Sequence, residues 1–298
     1  MPKPRFLVTI RSGIRRLPLI VLVACFPLRA YPSDDARGPA AAVLLFPSGD
    51  LYPLAIADPH RVGFGVQQLH FTDTAIPDAG NDRVGLRAGG RFGIVRVIPS
   101  GPASATWQVS IEGGFNAQFD ADNSLDNIGW DGRYGLVVTA GRAEGTVFKV
   151  GVLHDSSHVG DEYLLRTGRG RIGYTRHEVA AGISWVFIER WRTYAEAGWG
   201  YQLGNSEIMD PGRGQIGLEF DGCREPRDRC RGWYGAVDLS TMEERDWHID
   251  TAVQAGLAGR FSGRTWRIGL EWYRGRPPMG EFFSYTESSL SVGVWLDV

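Results

Sequence analysis

The stretch Leu153-His154-Asp155-Ser156-Ser157-His158-Val159-Gly160-Asp161-Glu162-Tyr163 holds the densest group of reactive side chains in the sequence. Its residue types suit ester hydrolysis. An imidazole takes the proton of a serine hydroxyl, the oxygen attacks an acyl carbon, and a third group orients the imidazole. His154 and Ser156 are two positions apart, so on a β-strand both side chains leave by one face. Phe148, Val150 and Val152 share that face, whereas Lys149 and Gly151 mark the other as interior. The expected roles are base for His154, nucleophile for Ser156, and orienting acid for Asp161 or Glu162 if the following loop folds back. Ser157 and His158 are the reserve nucleophile and base.

Other readings of the same residues stay open. The stretch also fits a polar loop of solvated charges. His154 and His158 would converge on a metal only if the segment were helical, so no metal ligands are assigned. Asp161 and Glu162 with loop carbonyls offer a place for Ca²⁺, and no other cofactor is called for. Arg166, Arg169 and Arg171, with Arg176 beyond them, form a basic cluster that suits lipopolysaccharide phosphates, or equally a solvated loop. Gly168-Arg169-Gly170-Arg171-Ile172-Gly173 matches a dinucleotide fingerprint in letters only, since no helix or βαβ unit accompanies it.

The elements that would position these groups are strands. Alternation between turn residues gives twelve candidates, at 61–71, 83–97, 106–119, 131–141, 145–156, 172–187, 192–203, 212–221, 232–241, 248–261, 265–274 and 287–298. The last is the clearest. Leu290, Val292, Val294, Leu296 and Val298 share one face, and Ser289, Ser291, Gly293, Trp295 and Asp297 the other. An even strand count, 40 Gly and 34 aromatic residues (10 Trp, 10 Tyr, 14 Phe) suit an all-β, transmembrane, antiparallel up-and-down barrel. With the N-terminus in the periplasm, the connections 142–144, 188–191 and 262–264 are short and periplasmic, and 120–130, 157–171 and 275–286 are long and extracellular. The connections 98–105 and 223–230 are longer than this rhythm asks. Lys149, Arg176, Glu178 and Glu271 are expected to face inward. Trp185, Trp191, Trp199, Trp233, Trp247, Trp266 and Trp272 fall near strand ends, where an aromatic girdle belongs.

The N-terminus is read as a signal peptide over 1–30. Lys3, Arg5, Arg11, Arg15 and Arg16 precede a short apolar run, 17–26, and Leu28-Arg29-Ala30 offers a cleavage site. Lipidation at Cys25 is the alternative. Residues 31–60 form a Pro-rich periplasmic linker and lead-in, ordered over 43–61 and packed against the barrel opening, and 61–298 form the barrel. Cys223 and Cys230 flank a short charged stretch in an exported chain, which reads as a disulfide. A formal net charge of -2 gives no reason to expect a nucleic-acid partner. The expected location is the outer membrane of a Gram-negative bacterium. Its lipids and lipopolysaccharide are the expected partners, with the barrel-assembly machinery during insertion. The oligomeric state is left open.

The His-x-Ser pair at a strand end resembles the motif of outer-membrane phospholipase A and of the lipid A deacylase. That likeness implies His154 as base and Ser156 as nucleophile, with an Asn or Glu on the next strand orienting the base. The usual spacing lands on Gly168, which has no side chain to offer. His177, on the same face as Val179, Ile183 and Trp185, is another candidate neighbour. More widely, LYPLAIADPHR, HDSSHVGDEYL and RIGYTRHEV are similar to a family of uncharacterised outer-membrane barrels recorded as a domain of unknown function. That likeness implies location and fold and no reaction. A non-enzymatic barrel that stabilises the envelope, passes small solutes or binds a ligand is the competing function.

Overall fold

The computed structural model of the protein describes residues 41–101, 104–142, 145–224, 230–261 and 263–297. The expected signal peptide, with Cys25, lies outside them. Twelve antiparallel strands form a closed ring. They are β2 (Phe64–Thr74), β3 (Asp82–Ile98), β4 (Thr106–Asp120), β5 (Asp126–Gly141), β6 (Thr146–Val159) and β7 (Thr175–Ile188), then β8 (Trp191–Leu203), β9 (Gly212–Asp221), β10 (Cys230–Met242), β11 (Ile249–Phe261), β12 (Arg264–Gly275) and β13 (Glu287–Asp297). Each strand pairs with its neighbours in sequence, and β13 closes the ring on β2 from Glu287 opposite Thr74 to Leu296 opposite Phe64. The expected up-and-down barrel of about twelve strands is therefore what forms. Closure leaves the wall without an open edge, which hydrocarbon requires. No helix among the described residues is long and apolar enough to cross a membrane.

The two faces separate by residue type, as alternation demands. Outside, Val66, Ile111, Leu136, Val150, Ile216, Leu257, Ile268 and Leu270 make an apolar band. Aromatic contacts edge it on the periplasmic side, with Trp185 on Phe187 and Phe220 between Trp191 and Trp233. Inside, ion pairs stand among small apolar clusters. Arg91 meets Glu112 at 2.6 Å and Asp50 at 2.8 Å. Glu178 lies between Arg176 at 2.9 Å and Arg213 at 2.6 Å. Arg192 meets Glu219 at 2.8 Å, Arg83 meets Glu287 at 2.9 Å, and Lys149 pairs with Glu196. Gly198 makes room for one of these pairs, because a Cβ there would stand 2.4 Å from the Glu178 carboxylate. Charges at this depth persist only when paired and hydrogen-bonded, and each here has a partner on its own strand, on a nearby strand or in the segment before β2.

Before the ring the chain makes a further strand, β1 (Ala42–Leu45), which pairs with the periplasmic end of β3 from Ala42 opposite Ile98 to Leu45 opposite Val95. On the same edge of β3, β2 pairs only with Asp82 to Arg87. From β1 the chain turns inward. Residues 50–62 run inside the barrel, deeper than a lead-in resting on its opening. Tyr52 and Leu51 pack on Val147 and Tyr194, and Ile56 and Ala57 pack on Tyr234, Ala236, Ala252 and Cys223. The plug's backbone is also claimed by the wall. Ile56 N–H donates to Glu219 at 2.7 Å, Arg91 donates to the Tyr52 carbonyl at 2.7 Å, and Arg87 donates to the Asp58 carbonyl at 3.3 Å. Cys223 and Cys230 are joined as a disulfide at the periplasmic end, with Cα atoms 5.5 Å apart.

The extracellular end is closed as well. The β12–β13 connection folds over it, burying Met279, Phe282 and Phe283. Phe282 packs with Ile76, Ile128, Val159 and Tyr163. The Glu281 carboxylate accepts from three successive backbone N–H groups, Ile172 at 2.9 Å, Gly173 at 2.8 Å and Tyr174 at 3.2 Å. Two cavities in the lumen are of about 30 Å³ each, room for isolated water.

Candidate functional site

The reactive stretch is positioned by β6 and by the turn and helix at its end. β6 runs on to Val159, past the expected end at 156, and so carries His158 and both serines. It stops at Gly160, whose N–H donates to Ile128 O at 3.0 Å. A Cβ at Gly160 would fall 1.8 Å from Asn127 O, so only glycine allows this close approach. The chain then makes a short helix, α1 (Asp161–Thr167), where a loop was expected. Asp161 and Glu162 stand in its first turn and Arg166 in its last, the arrangement its dipole favours. Tyr163 is buried under it.

Alternation along β6 sends even-numbered residues to the lipid face and odd-numbered ones inward. His154, Ser156 and His158 face out near the extracellular end. Asp155 faces in and forms a two-bond pair with Arg133, at 2.6 and 3.0 Å. Ser157 also faces in, and its hydroxyl accepts from Glu281 N at 2.8 Å. It fastens the extracellular cap, so the reserve nucleophile is inside the barrel. His158 stacks on Trp130, with ring centroids 4.2 Å apart, and does not approach Ser156 as a base.

The residue opposite His154 on β7 is His177. Their Nδ1 atoms are 3.4 Å apart and their rings meet edge to face at 4.5 Å. Tyr134 flanks His154 at 4.5 Å and Tyr201 flanks His177 at 6.0 Å. The result is a lipid-facing row Tyr134–His154–His177–Tyr201 across four strands, with Ser156 beside it. Ser156 lies next to Gly132 and Trp130: a Cβ on Gly132 would be 3.6 Å from its Oγ. Among the described residues, no hydrogen bond joins His154 to Ser156 and no carboxylate reaches His154.

The expected acid and phosphate clamps have other partners. Asp161 pairs with Arg171 at 2.8 Å on the exposed side of α1, and Glu162 is exposed beside it. Neither folds back to the imidazole, because α1 carries them beyond the strand end. Arg166 is held by Asp126 at 3.0 Å and Asp120 at 3.2 Å. Arg169 donates to Glu281 O at 2.5 Å and lies over the Phe282 ring at 4.2 Å. Arg166 ties α1 to β4 and β5, Arg169 ties the segment after α1 to the cap, and Arg171 has the most exposed side chain of the three. Arg176 points into the lumen. Among the described residues no group of three or more His, Cys, Asp or Glu is placed to hold a metal ion. Burial raises the Tyr174 hydroxyl pKa, with Glu244 adding to it, so this cap tyrosine stays a neutral hydrogen-bond donor to Glu244.

Residues 36–295 match a family described as protein of unknown function (DUF1207). The chain belongs to that family. In fold, this DUF1207 chain is similar to outer membrane phospholipase A from Escherichia coli, with a TM-score of 0.50 at 13% identity over 81% of this chain and 94% of that one. Weaker likenesses are to a bacterial polysaccharide outer membrane secretin, TM-score 0.36 at 9% identity over 80% and 98% of the two chains, and to a Rhodopseudomonas blastica porin, TM-score 0.34 at 8% over 79% and 98%. No protein of curated function is detectably similar in sequence. A closed twelve-stranded wall with an apolar outer band makes the DUF1207 chain an integral β-barrel of the outer membrane.

Trp130, Tyr134 and Tyr201 were not singled out from the sequence. Their signal was outward parity near the extracellular ends of strands adjoining the motif. His177 stands where a residue on the next strand would orient His154, but the α1 insertion moves it well past the spacing that points to Gly168.

Proposed function

We propose that the protein works at its lipid-facing rim and not through its lumen, as an acyl-ester hydrolase of outer-leaflet lipid. In this reading Ser156 Oγ attacks the acyl carbonyl and passes its proton to the free Nε2 of His154. His177 holds the other side of the His154 ring. The proton then goes to the leaving alcohol, and water releases the acyl group from Ser156. The observation that carries the reading is the meeting of His154 and His177 at 3.4 Å on the same outward face as Ser156. Catalytic hydrogen bonds often tighten only when substrate arrives, so Ser156 has to close on His154 in the lipid complex. Lipopolysaccharide or phospholipid supplies the ester, and exposed Arg171 reaches its phosphate by exchanging its surface pair with Asp161. Ca²⁺ at Asp161 loses support, because that carboxylate is engaged by Arg171.

The test is fatty-acid release from phospholipid and from lipid A in mixed micelles by the purified mature protein. Release is expected to disappear in Ser156→Ala and His154→Ala, to fall steeply in His177→Ala, and to survive in Ser157→Ala. No release from either lipid, or release that persists in Ser156→Ala, sinks the reading.

A second reading has its own support. With no carboxylate at His154 and a filled lumen, the chain also suits a non-enzymatic barrel that binds or stabilises the outer leaflet. Absent hydrolysis, together with absent conductance in a planar bilayer, would favour it over a small-solute pore.

A further inference from the structure

We propose that His154 and His177 form a two-histidine site for a divalent transition-metal ion on the lipid-facing rim. The proposal does not depend on hydrolysis. Zn²⁺ binds imidazole nitrogen at about 2.0–2.1 Å in tetrahedral geometry, which sets two ligand nitrogens about 3.3–3.4 Å apart. The Nδ1 atoms of His154 and His177 stand at 3.4 Å. That is the outer limit for a hydrogen bond between two imidazoles and the edge length of a tetrahedral nitrogen site. The pair is built on adjoining strands at matched register, so the backbone and not a loop fixes the spacing. Tyr134 and Tyr201 bracket the two rings and limit their rotation. Imidazole selects Zn²⁺, Cu²⁺ or Ni²⁺ over Ca²⁺ and Mg²⁺.

Two protein nitrogens leave the remaining positions open to water or a head-group phosphate oxygen. The site is thus one of modest affinity, exchangeable with the medium outside the cell. It also shares atoms with the proposed base. The Nδ1 of His154 that meets His177 is the nitrogen an ion would take, so an ion and the His154–His177 contact exclude one another.

Cu²⁺ is the probe of choice, added to the untagged mature barrel in detergent and read by electron paramagnetic resonance and by titration calorimetry. One ion per chain with micromolar dissociation and nitrogen hyperfine structure is expected. His154→Ala and His177→Ala should each weaken binding at least tenfold, and the double variant should abolish it. His158→Ala, whose ring is committed to Trp130, should bind as the parent does. Heat-modifiable gel mobility checks that each variant is folded, and all three substituted positions are on the outer surface. Parent protein that binds no more Cu²⁺ than the double variant overturns the proposal. So does a double variant that binds undiminished, or a His158→Ala variant that loses binding as His177→Ala does. Loss of acyl hydrolysis with Cu²⁺ binding intact, or the reverse, separates this site from the hydrolase reading.

Discussion

The inside and the outer rim of this barrel use polar side chains in opposite ways. In the lumen, Arg and Glu are packed in close pairs, as Glu178 is between Arg176 and Arg213. At the rim, His154, Ser156 and His177 face lipid with open surroundings and few hydrogen bonds. Buried charge tolerates no loss of a partner, because what remains cannot return to water. An exposed imidazole or hydroxyl tolerates it easily, since solvent and head groups substitute. Stability therefore resides inside, and reactivity is free to reside outside.

The sharpest way to break this contrast is Glu178→Ala. It strands Arg213 in the lumen, leaves Arg176 with only the Glu244 carboxylate at 3.7 Å, and should cost about 3–5 kcal/mol, seen as a lower urea midpoint in tryptophan fluorescence. A loss within experimental error would mean that the lumen admits enough water to screen its charges. Next comes the plug. Tyr52→Ala empties a ring packed on Val147 and Tyr194 and should cost about 3 kcal/mol. If the midpoint stays put, the plug is not part of the cooperative core.

Two smaller effects sharpen the comparison. At the extracellular turn after β10, burial raises the Glu244 pKa against the pull of Arg276 and Arg176. A carboxyl whose folded pKa lies above its unfolded one destabilises the fold at high pH. That cost disappears as pH falls through the raised pKa toward the ordinary carboxylate range. Glu244→Gln should therefore raise stability slightly at pH 8, by under about 1 kcal/mol, with the gain lost at pH 4. A gain of equal size at both pH values would exclude titration as its cause. Smallest of all, Ser156→Ala at the rim should leave the unfolding midpoint within about 0.5 kcal/mol while acyl release vanishes. A strongly destabilised Ser156→Ala would remove the rim from the reactive side of the contrast.

How much of the molecule was legible in the sequence depends on how local each signal is. Alternation is local, so the faces of β6 and β13 and the outward parity of His154, Ser156 and His177 could be read from single segments. The plug could not. Residues 50–62 have no period of their own, and Ile56 is held by Glu219, which lies 163 positions later. The end of β6 was missed because Ser157 and His158 look like loop residues until the cap and Trp130 are seen to hold them. The partner of His154 was obscured for a related reason. Spacing rules assume a fixed connection, and α1 lengthens this one, so register and not sequence distance brings His177 into place.

The plug also has a topological character that a detachable stopper lacks. Its upstream end is stitched to the wall through β1 on β3, and its downstream end becomes β2, the strand that β13 must find to complete the ring. Ejecting it whole would tear the cylinder open, so any route through the barrel has to arise from slack in a segment tethered at both ends. The four-residue β1 stitch is the weaker tether. A cystine introduced at the paired positions Val43 and Val97 should silence whatever transient conductance the parent protein shows, and conductance that survives the lock would locate the slack elsewhere.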